Sequence, residues 1–241
     1  VCEIEFSPFN GGRYLCSGSC DHTIRLWDVE TSKSLHVFNG HYWFVWCVDI
    51  SPLQSNNNNN DNKSNSIGVI GGNGYTICSG SFDKTIRIWD IETAKQLNIF
   101  QGHNGYVNSV KYGSNELKNT ILSGSNDYSI RLWDIQSGKQ IQVFNGHTHS
   151  VFTVTYSPFV IKDNSNSNVI CSGSMDDTIR FWDIRSNKKE LYVMEVGEGI
   201  LGLKFIKLKK KVNNNQNEVN DGSYVNLCYG SNNGLIRVWG C

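Results

Sequence analysis

A twelve-residue segment that occurs five times limits what this chain can fold into. It reads SGSCDHTIRLWD at 17–28, SGSFDKTIRIWD at 79–90, SGSNDYSIRLWD at 123–134, SGSMDDTIRFWD at 172–183 and, less regularly, YGSNNGLIRVWG at 229–240. The shortest interval, between Trp89 and Trp133, matches a structural repeat of about 40–45 residues. Such a unit cannot bury an apolar face alone, so the sequence predicts repeats that stack on one another.

Each repeat contains four segments that are typical of β-strands. In the third repeat they read GYVNSVKYG, NTILSGS, YSIRLWDI and KQIQVFNG. In the second repeat, alternation puts Ile86 and Ile88 on one face of a strand and Arg87 and Trp89 on the other. Both faces carry large side chains, which predicts a sheet packed between two neighbouring sheets.

Polar, Asn-rich segments lengthen three of the repeats between the first and second strands. They read LQSNNNNNDNKSNSIGVIGGNGY at 53–75, VIKDNSNSN at 160–168 and KLKKKVNNNQNEVNDGS at 207–223. Their low apolar content predicts mobile loops. Self-association through the Asn tracts is the alternative interpretation.

Charge and composition restrict the classes of partner. The 22 basic and 22 acidic residues balance, so no overall charge favours nucleic acid or an anionic membrane. No apolar run approaches the ~18 residues that a membrane-spanning helix needs. The chain has no signal-peptide pattern and begins inside a strand-like segment, which we interpret as an excerpt of a longer protein.

Four of the eight cysteines occupy a repeated structural position. Cys16, Cys78, Cys171 and Cys228 each precede the repeated segment, and Leu122 takes that place in the third copy. A Cys that exchanges with Leu behaves as a small apolar residue. The sequence therefore predicts free thiols in a reducing compartment, the cytoplasm or the nucleus, with no metal site and no cofactor.

Two dipeptides carry a resemblance to a known family. Gly-His appears as Gly40-His41, Gly102-His103 and Gly146-His147, and Trp-Asp appears as Trp27-Asp28, Trp89-Asp90, Trp133-Asp134 and Trp182-Asp183. The pattern covers essentially the whole chain and resembles the WD-repeat (Trp-Asp repeat) family of β-propellers. It departs at the ends: the first repeat has no Gly-His, and the fifth has Gly197-Glu198, Tyr229, Asn233 and Gly240.

The resemblance implies an all-β propeller of four-stranded antiparallel blades. The five units span about 1–39, 40–101, 102–145, 146–196 and 197–241. They are expected to form part of a larger, seven-bladed ring with further blades on the N-terminal side. The resemblance also implies a buried hydrogen-bonded tetrad in each of three units: His41, Ser79, Asp83 and Trp89; His103, Ser123, Asp127 and Trp133; and His147, Ser172, Asp176 and Trp182.

A hydrolase triad is the tempting alternative for the recurring Ser, His and Asp. Catalysis needs one exposed nucleophile with its pocket, whereas three equivalent copies, each with a Trp, indicate a framework. The sequence also has no phosphate-binding loop of the GxxxxGK[ST] type and no HExxH or GxSxG motif. We therefore expect no enzymatic activity.

The fourth letter of the repeated segment varies, and the resemblance places it in a turn on the top face of the propeller. That turn lies beside the start of the first strand, and the family binds partners at these positions. The predicted partner-binding residues are Phe44, Trp46, Phe82, Tyr106, Asn108, Asn126, Phe152 and Met175. Exposed aromatic residues and Met at such places are typical of contact surfaces.

The leading functional hypothesis is a non-catalytic scaffold or adaptor of a multiprotein complex that binds a protein or peptide on the top face. Two alternatives stay open within binding modules: a substrate receptor or histone-type peptide reader, and the regulatory WD-repeat end of a larger multidomain protein. A cluster of aromatic residues on the top face could bind either an apolar side chain of the partner or a Lys or Arg held by cation–π contact. Neither nucleic acid nor membrane is an expected partner.

Overall fold

The structure of the chain is a computed structural model that describes residues 1–51, 75–113, 117–163, 165–185, 190–209 and 223–240. It describes no side chains within 159–168, 207–209 and 223–224. The regular structure there is almost entirely β-strand, with a short 3-10 turn at Asn10–Gly12. No helix among these residues is long and apolar enough to cross a membrane.

The strands form five antiparallel sheets, here called blades 1 to 5, whose strand order follows the chain. Blade 1 contains β1 (Glu3–Phe6), β2 (Tyr14–Gly18), β3 (Ile24–Asp28) and β4 (Lys33–Phe38), and blade 2 contains β5 (Val45–Ile50), β6 (Thr76–Ser81), β7 (Ile86–Asp90) and β8 (Gln96–Phe100). Blade 3 contains β9 (Val107–Tyr112), β10 (Thr120–Ser125), β11 (Ile130–Asp134) and β12 (Gln140–Phe144), and blade 4 contains β13 (Val151–Asp163), β14 (Ser165–Ser174), β15 (Thr178–Asp183) and β16 (Glu190–Glu195). Blade 5 has three strands in the described residues: β17 (Ile200–Lys209), β18 (Ser223–Ser231) and β19 (Ile236–Trp239).

The five blades stand in a ring around a central channel, which confirms the predicted all-β propeller. The first strand of each blade is its inner strand, and consecutive inner strands contact each other from β1 through to β17. All five inner strands line the channel, whose volume is about 1080 Å³. Whether further blades complete a seven-bladed ring stays a prediction.

An apolar core fills the space between each pair of neighbouring blades. Trp89 of blade 2 packs with Leu26 and Phe38 of blade 1, and Trp133 packs with Ile88 and Phe100 of blade 2 in the same way. The Trp of one blade therefore closes the core that it shares with the preceding blade. This arrangement explains why both faces of the strands are rich in large side chains.

The two end blades each leave an apolar face exposed. Ile236 and Val238 in blade 5 are 81% and 63% exposed, whereas Ile130 and Leu132, at the equivalent positions of blade 3, are at most 1% exposed. Ile4 and Phe6 in β1 are also about half exposed, at 50% and 51%. In the described part of the chain, no neighbouring blade covers these side chains.

The glycine of the repeated SGS triplet allows adjacent blades to approach closely. A Cβ at Gly80 would lie 2.5 Å from both Cys47 Sγ and Val107 Cγ1. Gly124 and Gly173 are similarly crowded by residues of the next blade. A larger residue would clash at this position in the first four copies, whereas a Cβ at Gly230 of the fifth copy would meet no heavy atom within 4 Å.

One Asn-rich insertion differs from the predicted loop. Residues 160–163 continue β13 and pair with 165–168 of β14, from Val160 opposite Asn168 to Asp163 opposite Ser165. A register shift between Tyr156 and Val160 precedes this extension. The hairpin forms because pairing satisfies backbone groups whatever the side chains are. The other two insertions fall largely at 52–74 and 210–222, outside the described residues.

Candidate functional site

The side chains of each implied tetrad lie together in blades 2, 3 and 4. In blade 2, the Trp89 indole N–H donates to Ser79 Oγ at 2.8 Å, and Ser79 Oγ lies 2.8 Å from His41 Nε2. The other ring nitrogen, His41 Nδ1, lies 2.7 Å from Asp83 Oδ2. The corresponding three distances are 2.8, 2.8 and 2.9 Å in blade 3 and 2.9, 2.7 and 2.8 Å in blade 4.

The electrostatics fix the direction of hydrogen bonding along each tetrad. Burial lowers the pKa of His41, despite the hydrogen bond to Asp83, so the ring is neutral. Burial opposes the charged form of Asp83, but hydrogen bonds from His41 and Thr85 hold the pKa of its carboxyl well below its usual range. Neutral His41 therefore donates its Nδ1–H to an ionised carboxylate and accepts the Ser79 hydroxyl proton at Nε2. The pKa shifts have the same directions in blades 3 and 4.

The tetrads offer no access for a substrate. Ser79, Ser123 and Ser172 have no exposed surface, and each hydroxyl oxygen already accepts a hydrogen bond from a Trp. The Asp side chain also joins two elements, since Asp83 Oδ2 accepts the backbone N–H of Tyr42 at 3.1 Å while Oδ1 accepts that of Thr85 at 3.0 Å. This arrangement holds the turn between the second and third strands against the segment that precedes the blade.

The end blades contain only part of this network. In blade 1, the Trp27 indole donates to Ser17 Oγ at 2.9 Å, without a His. In blade 5, Tyr229 stands at the position of the tetrad Ser, and other contacts form: the Ser231 hydroxyl donates to Asn233 Oδ1 at 2.7 Å, and Arg237 pairs with Glu198 at 2.9 Å. These departures follow the sequence differences in the first and fifth repeats.

Backbone hydrogen bonds bring the variable turn residue beside the start of the first strand. The N–H of Phe82 donates to the carbonyl of Phe44 at 3.0 Å, and the N–H of Asn126 donates to that of Tyr106 at 2.9 Å. Met175 and Asn232 make the same contact with Ser150 and Gly199. We call this end of the ring the top face. The Asn-rich insertions start from the opposite end of the blades. In blade 2, Val45 pairs with Ser81 at the top, and Ile50, the last residue of the first strand, pairs with Ile77 at the bottom, where the insertion begins.

Aromatic side chains from blades 1 to 3 form a continuous strip on the top face. Phe82 is its centre: its ring stacks on Tyr106 with centroids 4.3 Å apart and planes inclined by 9°, and on Trp46 with centroids 5.0 Å apart. Phe44 and Trp43 continue the strip at 5.9 and 5.6 Å between successive centroids. We call this strip the aromatic surface, comprising His22, Trp43, Phe44, Trp46, Phe82 and Tyr106.

The remaining predicted partner-binding residues differ in their surroundings. Phe152 and Met175 are half-buried in blade 4, and Phe152 also lines the channel. Asn108 is buried, and its amide nitrogen donates to Asn126 Oδ1 at 2.6 Å and to the carbonyl of Val151 at 3.0 Å. Asn108 therefore links blades 3 and 4, which leaves Asn126 as the more accessible member of the pair.

Sequence reasoning missed several residues of the top face. Trp43 is 49% exposed and stacks on His22, and Tyr42 is 79% exposed with the Arg87 guanidinium 5.3 Å from its ring. The signal was present as the aromatic run HYWFVW at 41–46. Cys2 was also missed; its Sγ lies 3.2 Å from that of Cys20.

A charged cluster lies deeper on the channel wall. Lys111 Nζ contacts Glu5 Oε2 at 3.1 Å and Asp49 Oδ1 at 3.2 Å. The Val48 N–H donates to Glu3 Oε2 at 2.9 Å, and burial raises the pKa of Glu3 to about 7. These contacts join the inner strands of blades 1, 2 and 3. Among the described residues, no group of three or more His, Cys, Asp or Glu is arranged to hold a metal ion.

The comparison with known families agrees with the ring and its tetrads. The family model described as "WD domain, G-beta repeat" matches residues 6–28, 32–90, 94–134 and 138–183, well over half of the chain. The chain belongs to the WD-repeat family. The family matches end before blade 5, where the tetrad letters are lost.

Several characterised WD-repeat proteins are similar to this chain. The "Guanine nucleotide-binding protein subunit beta" of Oryza sativa subsp. japonica is 31% identical over 113 residues, which cover 46% of this chain and 26% of that protein. "Autophagy-related protein 16" of Arabidopsis thaliana is 30% identical, covering 48% and 18%. "Cell division control protein 4" of Saccharomyces cerevisiae is 27% identical, covering 42% and 19%. The matched region thus spans about a quarter or less of each of these relatives.

Proposed function

We propose that the chain is a non-catalytic scaffold or adaptor that binds a protein or peptide partner on the top face of the propeller. The observation that carries the proposal is the aromatic surface, in which Phe82 stacks between Trp46 and Tyr106. Rigid aromatic side chains lose little conformational entropy on binding and dominate many interfaces. Tyr106 is 39% exposed and Trp43 is 49% exposed, so a partner has area to cover.

The proposed interface consists of Phe44, Trp46, Phe82, Tyr106, Asn126, Phe152 and Met175. Asn108 is assigned the role of positioning Asn126, because its amide nitrogen is engaged by two acceptors. The family's relatives support a role in assemblies, since one is named as a subunit. We place the protein in a multiprotein complex for the same reason.

The non-catalytic part of the proposal rests on the repetition and burial of the tetrads. Three equivalent Ser–His–Asp groups, each with an inaccessible hydroxyl, stabilise three blades rather than form one reactive centre. We propose a reducing compartment, the cytoplasm or the nucleus, because the buried Cys16, Cys78 and Cys171 fill core positions as free thiols. The balanced charge supports a partner other than nucleic acid or membrane.

Affinity capture with matched variants tests the proposed surface. The wild-type protein, a Trp46→Ala/Phe152→Ala variant and a Leu97→Ala/Ile141→Ala control are used as baits in parallel. Leu97 and Ile141 are exposed apolar residues on the outer strands β8 and β12, away from the top face. The proposal expects specific partners to be lost from the first variant and kept by the control. Equal recovery with all three baits would contradict it.

A further inference from the structure

The thiols of Cys2 and Cys20 meet at the channel mouth in blade 1. Their Sγ atoms are 3.2 Å apart, Cys20 is exposed, and Cys2 is half-buried and lines the channel. Both are free cysteines. A disulfide bond requires the two sulfurs to approach to about 2.0 Å, a movement of roughly 1 Å from this arrangement.

The backbone holds both residues close together. The N–H of Cys2 donates to the carbonyl of Gly18 at 2.8 Å, at the point where β1 begins its pairing with β2. Cys20 lies in the turn between β2 and β3, which is closed by the His22 N–H donating to the carbonyl of Ser19 at 3.2 Å. The paired strands and the tight turn therefore hold the two sulfurs at this short distance.

We propose that Cys2 and Cys20 are a peroxide-sensitive pair that forms a reversible intramolecular disulfide. In the first step, the Cys20 sulfur attacks a peroxide oxygen, the O–O bond breaks, and Cys20 becomes a sulfenic acid while one water leaves. In the second step, the Cys2 sulfur attacks the Cys20 sulfur, the S–O bond breaks, and the second water leaves. The two thiols lose two electrons and hydrogen peroxide gains them; a dithiol reductant reverses the reaction.

The surroundings assign the order of the two thiols. Cys20 is the exposed member and meets the oxidant first. Burial, together with the neighbouring Cys20 thiol, raises the pKa of Cys2 to about 11, so Cys2 enters second, as the resolving thiol. The core thiols of Cys16, Cys78 and Cys171 are fully buried, and burial raises their pKa values as well. Peroxide should therefore oxidise the Cys2–Cys20 pair selectively, because it can reach Cys20 but not the buried core thiols.

The disulfide would restrict the conformation of the turn at one end of the aromatic surface. His22 lies two residues after Cys20 in the same turn, and its ring is 6.1 Å from that of Trp43 and 5.8 Å from that of Phe44. A disulfide that joins this turn to the start of β1 would restrict the movement of the turn, and therefore of the His22 ring that packs near Trp43 and Phe44. The disulfide itself is detected chemically, so the inference does not depend on the proposed binding function.

Peptide mapping of the full chain tests the proposal. The reduced protein is treated with increasing hydrogen peroxide, alkylated and digested without reductant. We expect a peptide linked through Cys2 and Cys20, lighter by two hydrogens than its parts, at lower peroxide than any oxidation of Cys16, Cys78 or Cys171. Dithiothreitol should restore both thiols.

Single variants assign the roles of the two thiols. Cys2→Ser should leave Cys20 as a sulfenic acid that dimedone traps, and Cys20→Ser should abolish the response. The control Cys228→Ser removes a half-buried thiol of blade 5 and should behave as wild type. Over-oxidation of Cys20 in the wild-type protein without the Cys2–Cys20 link would overturn the proposal, as would linkage through other cysteines first.

Discussion

The indole ring of Trp46 stacks on the ring of Phe82, with centroids 5.0 Å apart and planes inclined by 25°. Trp46 lies at the start of the first strand of blade 2, and Phe82 lies in the turn between its second and third strands. The same two positions hold Asn108 and Asn126 in blade 3, joined by a 2.6 Å hydrogen bond, and Cys2 and Cys20 in blade 1. In blades 1, 2 and 3, the two variable positions thus hold a chemically matched pair.

These matched pairs separate the variable positions of the repeat from its constant ones. The pair in blade 4 is Phe152 and Met175, both apolar, whereas Leu201 and Asn232 in blade 5 are not alike. Because the tetrads do not involve the variable positions, those positions can change together while the blade stays intact. We therefore expect substitutions at constant positions to affect stability and those at variable positions to affect binding.

Asp127→Ala should destabilise the protein far more than Asn126→Ala, although the residues are neighbours. Asp127 accepts hydrogen bonds from His103 and from the backbone N–H groups of Asn104 and Ser129. Its loss should cost at least ~2 kcal/mol of unfolding free energy, against ~0.5–1 kcal/mol for Asn126. Denaturant titration of both variants measures the difference, and equal midpoints would refute the assignment of Asp127 to a buried network.

Gly80→Ala should destabilise blade 2 through a steric clash. The added methyl would lie 2.5 Å from Cys47 Sγ and Val107 Cγ1, which implies a loss of ~1–3 kcal/mol. Gly202→Ala is the matched control, because a Cβ there meets no heavy atom within 4 Å. Thermal melting should separate the two variants, and a Gly80→Ala protein as stable as the control would show that the inner strands adjust freely.

Glu3→Gln should stabilise the protein at alkaline pH. Burial raises the pKa of Glu3 to about 7, so the native state favours the protonated carboxyl and loses stability as pH rises from about 4.5 through 7. Gln keeps an acceptor for the Val48 N–H without a charge. We expect the variant to be more stable than wild type by ~1–3 kcal/mol at pH 8 and similar to it at pH 5. A stability difference that does not change with pH would contradict this account.

The exposed face of blade 5 should drive self-association of the 241-residue chain. Replacing Ile236 and Val238 with Lys should reduce the mass measured by light scattering at high concentration. The control places Lys at Leu97 and Ile141, which are 53% and 52% exposed on internal blades. If the wild-type chain is monomeric, or if both variants associate equally, this face is not the cause.

The sequence predicted the architecture because its period, strand alternation and Trp residues are properties of each repeat. In the structure, Trp46 and Phe152 lie on the first strands of their blades, and Phe82 lies between β6 and β7; their role in binding stays a prediction. It did not reveal that Asn108 is buried, because that depends on the carbonyl of Val151 in the next blade. The paired hairpin at 160–168 escaped prediction as well, since backbone pairing there outweighs an unfavourable composition.

The central claim is that the variable residues of the top face bind the partner, and a titration calorimetry series tests it most directly. A partner recovered with the wild-type protein is titrated into wild type, Trp46→Ala and a variant in which NNNNN at 56–60, outside the described residues, becomes Gly/Ser. We predict that Trp46→Ala weakens the binding free energy by ~1–3 kcal/mol, which raises the Kd about 5- to 150-fold, and leaves the melting temperature unchanged. The loop variant should bind as wild type. Unchanged affinity for Trp46→Ala together with lost binding for the loop variant would contradict the claim.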